Sequence, residues 1–79
     1  MPNVQTQPEL AAIMKQSGVF ADADIDRALA EIEDVTGSKN INVGVSSILL
    51  AIQTAKQDQD KTGRFAEVLA EMCADNAVM

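Results

Sequence analysis

The first places to look for chemistry in this 79-residue chain are a single thiol, Cys73, the hydroxyls of Ser38, Ser46 and Ser47, and twelve carboxylates. There is no histidine and no tyrosine, so the commonest general base is missing. Neither a Gly-x-Ser-x-Gly nor a Ser-x-x-Lys pattern surrounds those serines. Ser46 and Ser47 read instead as capping and packing residues at a helix start. Cys73 falls on the apolar face of a C-terminal helix with acids nearby, a setting that raises a thiol pKa and suits a small core residue. No residue is given a catalytic role, no cofactor is expected, and the chain is read as non-enzymatic.

Metal binding is the sharpest chemical alternative. Asp58, Asp60, Thr62 and Gly63 read D-x-D-x-T-G, which resembles the opening of an EF-hand calcium loop, where alternate oxygens ligate and the sixth place needs glycine. The resemblance implies a calcium-responsive module with Asp58, Asp60 and Thr62 as ligands. Its twelfth place, however, is Leu69 where a bidentate glutamate is required, and Glu67 comes early. A second window, Asp22, Asp24 and Asp26 with Glu33, puts Arg27 where the glycine belongs. Ordinary turn and helix-cap chemistry accounts for both windows, so no metal ligand is assigned.

The formal net charge is −6 and the pI about 4.2. Binding nucleic acid through its phosphates needs a positive patch to displace counterions, and stacking on single strands needs more rings than Phe20 and Phe65 provide. Direct nucleic-acid contact is therefore not expected. The converse reading is an acidic inhibitor that imitates nucleic acid and occupies a basic protein. Between Asp22 and Asp34 the acids Asp22, Asp24, Asp26, Glu31, Glu33 and Asp34 face Arg27 alone, with Arg27 and Glu31 spaced to pair. A solvated helix face explains most such runs; the functional reading is a docking rim for a basic partner, carried by Asp24, Glu31 and Glu33.

These groups must be positioned by helices. The most apolar stretch is Val43 to Lys56, where Val45, Ile48, Leu49 and Ile52 share a face and Leu50 widens it. Its core, Ile41 to Ile52, is shorter than the roughly 20 apolar residues that cross a bilayer, so it is read as a buried helix and no membrane contact is expected. Pro8 and Glu9 suit a first helical turn, Leu10, Ile13 and Met14 form its stripe, and Gly18 stops it. A second helix begins among Asp22, Asp24 and Asp26, carries a stripe of Ile25, Leu29, Ile32 and Thr36 or Val35 widened by Ala28, and closes at Gly37. Ile41, Val43 and Val45 alternate as a strand would. Because no second alternating stretch pairs with them, they are assigned to the start of the third helix, capped by Asn40 or Asn42; pairing with a second copy would restore the strand. Gln57 to Gly63 is a turn, and a last helix from Arg64 carries Phe65, Val68, Leu69, Met72 and Cys73 on one face.

The expected fold is all-α: one domain over 1–79, with Met1 to Thr6 a frayed tail and about four short helices. The first three enclose Ile48, Leu49 and Ile52, and the last two form an antiparallel hairpin. A chain this short hides only about 60% of its unfolded surface, and it has neither a disulfide pair nor a Cys/His zinc set, so association with a second copy is the remaining support. Met14, Met72 and Met79, with alanines on three helices, offer an adaptable surface for another helix. The function expected is a protein–protein interaction module, probing its partner through the acidic rim and an apolar patch of Phe65, Leu69 and Met72. The opening MPNVQTQPEL has no basic run or apolar core of a secretory signal, and a lone cysteine fits a reducing compartment, so a cytoplasmic location is expected.

Overall fold

The computed structural model describes residues 3–77, with side chains over 3–74. Four α-helices are present among the described residues: α1 (Gln7–Ser17), α2 (Asp22–Thr36), α3 (Val45–Lys56) and α4 (Lys61–Ala77). Thr6 caps α1: its hydroxyl oxygen accepts the Glu9 backbone N–H at 3.3 Å and its O–H donates to the Glu9 carboxylate at 2.9 Å. Gly18 (φ 71°) and Gly37 (φ 73°) end α1 and α2 in the left-handed conformation that other residues adopt only under strain. No side chain caps α2, whose free N–H groups face Asp22 and Asp24 in the first turn.

The segment between α2 and α3 explains the alternating valines. Val4 N–H donates to Val43 O at 2.8 Å, Val43 N–H returns to Val4 O at 3.2 Å, and Ile41 N–H reaches Gln5 O at 3.1 Å. This is a single antiparallel bridge. Val4, Ile41 and Val43 turn inward, 4%, 4% and 1% exposed, while the Asn3 amide donates to the Asn42 side-chain oxygen outside at 2.8 Å. Three expectations are corrected here. Ile41 to Gly44 is extended rather than the start of α3, its pairing partner lies in the same chain, and residues 3–6 are held in place rather than frayed; Met1 and Pro2 lie outside the described residues. Gly44, not Asn40 or Asn42, occupies the cap position of α3, with Ile48 N–H bonded to its carbonyl at 3.1 Å.

The last helix is the middle of the molecule. α4 packs against α2 on one side and α3 on the other, and α1 packs on α2. Its inward residues Phe65, Ala66, Leu69 and Ala70 are all buried, and the Phe65 ring meets Phe20 with centroids 5.2 Å apart and planes tilted by 56°. The short connection from Lys56 to Lys61 makes α3 and α4 an antiparallel hairpin, as the sequence implies.

α3 presents a different face from the expected one. Ile48, Ala51, Ile52 and Ala55 are inside, a complete helical stripe at i, i+3, i+4 and i+7, while Leu49 and Leu50 are 48% and 63% exposed. The alanines decide the rotation, because small side chains let α3 lie close to α4. Phe65→Ala should therefore lower the unfolding free energy by about 3–5 kcal/mol, and Leu50→Ala should change it by no more than about 0.5 kcal/mol, as measured by urea titration.

Candidate protein-binding surface

Cys73 is 8% exposed and sits where α4 passes Ile41 and Asn42. Burial pushes its thiol above the ordinary range, and a hydrogen bond from the Asn42 backbone only partly opposes this. A thiol so placed keeps its proton near neutral pH, which fits a packing role. Beside it lies an open groove of about 370 Å³ lined by Val35, Thr36, Ser38, Ile41 and Ala70.

The run Asp58 to Gly63 is a turn and a helix cap. Asp58 Oδ1 accepts the Asp60 N–H at 3.0 Å, Asp60 Oδ1 accepts the Gly63 N–H at 3.1 Å, and Arg64 N–H bonds to Asp60 O at 3.0 Å. α4 starts at Lys61, so Thr62 and Gly63 are in its first turn, and Thr62 is only 4% exposed. Here the two carboxylates of the D-x-D-x-T-G window serve backbone N–H groups of the turn and of the first turn of α4. The window from Asp22 to Glu33 lies wholly within α2. Among the described residues no three cysteine or carboxylate side chains gather as a metal site. Gly63 has another purpose: a Cβ there would run into the Asp60 carboxylate.

Of the expected acidic rim, Asp24 lies 3.9 Å from Arg27, and Glu33 accepts from the Gln7 side chain at 3.2 Å. Glu31 is exposed but does not pair with Arg27, which turns instead to Asp60 at 3.5 Å. These pairs are solvated and contribute little to stability. The expected apolar patch is not on the surface. Phe65 and Leu69 are fully buried and Met72 partly so, because α4 is covered on both sides; Met14 is buried as well, and Met79 lies outside the described residues.

Among the described residues the exposed large apolar side chains are Val35, Leu49 and Leu50. The two leucines sit on the outer side of α3, the side turned away from α4, followed by exposed Gln53 and Lys56. Val45 shares the stripe with Leu49 one turn earlier and lines a groove of about 540 Å³ with Val4, Glu9, Ala12 and Ile13 of the neighbouring segment. One signal in the sequence could have found this surface. Ile48, Ala51, Ile52 and Ala55 already complete an inward stripe, which leaves both leucines surplus.

Comparison with known proteins gives one informative match. The chain is 38% identical over 71 residues to the vesicular-fusion protein sec18 of Schizosaccharomyces pombe, a match that takes in 89% of this chain and 9% of sec18. The chain thus spans about a tenth of the length of the relative it matches. No described protein family matches the chain, and no solved structure matches it. Among the described residues no helix is long and apolar enough to cross a membrane.

The cap analysis separates two roles of Asp60. Asp60→Ala should cost about 1 kcal/mol in thermal or urea unfolding, whereas Asp60→Asn, which keeps the cap and loses only the charge facing Arg27, should stay within about 0.5 kcal/mol of the parent. Equal losses from the two would assign the stability to the ion pair.

Proposed function

We propose that this chain is a protein-interaction module that works by contact, not by catalysis, and that the contact surface is the outer side of α3. The observation that carries the reading is the pair Leu49 and Leu50, exposed side by side although the helix already has a complete buried stripe. With Leu49 48% and Leu50 63% exposed, roughly half of the about 1.5–3 kcal/mol that full burial of a leucine contributes is left for a partner surface to recover at each. The likeness to a short part of a vesicular-fusion protein supports the same reading, since the matched stretch has the size of one helical domain within a much longer protein. The partner is a protein, and the location is the aqueous compartment in which that partner is found.

A photo-crosslinking residue at Gln53, in cells that carry the protein, tests this. A second polypeptide should be captured at Gln53, and capture should be lost in Leu49→Gln/Leu50→Gln. Capture from a probe at Asp22 on α2, with none at Gln53, would contradict the reading.

A further inference from the structure

Two hollows between α2 and α4 form one strip, because Val35, Ala70 and Ala74 line both. One half, of about 390 Å³, is edged by three carboxylates, Glu31 from α2 and Glu67 and Glu71 from α4, and by no basic residue. Arg64 lies 3.2 Å from Glu67, and Arg27 turns to Asp60 at 3.5 Å. Among the described residues the carboxylates of Glu31 and Glu71 therefore have no cationic partner. Glu67 and Glu71 stand four apart on one helix, a like-charge spacing that opposes the helix until a cation joins them. The other half, beside Cys73, is lined by no charged residue; Val35 and Ile41 make it apolar, and the Asn40 amide stands at its edge. Val35, 67% exposed, is where the two halves meet.

We propose that this strip takes up a segment of a partner protein in which an arginine neighbours a large apolar residue, with the guanidinium at the Glu31 and Glu71 end and the apolar side chain over Val35. The inference goes beyond the module reading above, which concerns the outer side of α3, and uses a different face. Charge complementarity selects the cation. An arginine brings five donors for the carboxylates and an apolar stem that lies along the alanines. The uncharged half selects what is attached to it. A second cation there would lose water without gaining a partner, whereas an apolar side chain covers Val35. The Asn40 amide offers a peptide group both a donor and an acceptor. A polyanion is repelled by the same three carboxylates, and a free polyamine carries charge at both ends of its chain, so neither suits the strip.

The probe is a capped tetrapeptide with arginine and leucine at its centre, titrated into the full chain and followed by NMR. Saturable shifts should appear at the amides of Glu31, Val35, Ala70 and Glu71. Citrulline in place of the arginine, close to it in shape but uncharged, should weaken binding about tenfold, and glycine in place of the leucine should weaken it as well. Glu31→Gln/Glu71→Gln should cost about tenfold with the circular dichroism spectrum unchanged, while Asp22→Asn/Asp26→Asn, which removes the same charge elsewhere on α2, should leave binding within about twofold. Should a variant lose its helices, the citrulline comparison on the unaltered chain still decides. The inference is overturned by no saturable shift, by shifts confined to the outer side of α3, by equal binding of the citrulline peptide, by equal losses from the two double variants, or by spermidine binding as tightly as the peptide. Loss of the crosslink at Gln53 refutes the α3 reading alone and leaves this one to the peptide.

Discussion

The structure depends on α4 being covered on two sides. A helix between two others must be apolar over a wide arc, and α4 meets this by combining Phe65 and Leu69 with Ala66 and Ala70, so that large side chains fill the core while small ones let α2 and α3 come close. The other elements follow from this arrangement. α3 turns its own alanines toward α4, the Phe20 ring before α2 closes over Phe65, and the bridge from Val4 to Val43 seals the end where α3 begins.

That same rotation sets the surface. A helix of twelve residues with Ile48, Ala51, Ile52 and Ala55 inward has nowhere to put Leu49 and Leu50 except outside. Turning the leucines in would bury more hydrocarbon, but their bulk would push α3 away from α4 and leave the alanines against solvent. Close packing wins inside, and a leucine surface is left outside. The interaction reading thus grows from the packing of the core, and the acids of α2 have a lesser part than their number suggests.

Much of the fold was legible where single residues have one physical use. Pro8, Gly18 and Gly37 mark the bounds of the first two helices, and the gap between Lys56 and the final apolar stripe marks the hairpin. Other features were hidden for identifiable reasons. Val4 pairs with Val43 through a single bridge, too short to show periodicity in the N-terminal segment. The start of α4 at Lys61 puts Gly63 inside a helix, against its propensity, and only the Asp60 cap makes sense of it. The site was misplaced because hydropathy ranks leucine above alanine, whereas the choice of buried face rests on how closely two helices can approach. Hydropathy therefore put Phe65 and Leu69 on a binding patch and Leu49 in the core, the reverse of their places in the fold.

The most direct measurement is methyl NMR of the isolated chain with a soluble paramagnetic agent. The account predicts strong relaxation enhancement at the methyls of Leu49 and Leu50, with Ile48, Ile52 and Leu69 protected. Leu49 and Leu50 protected to the same degree as Ile48 would contradict it, because α3 would then be rotated or covered and the surface proposed for the partner would not exist.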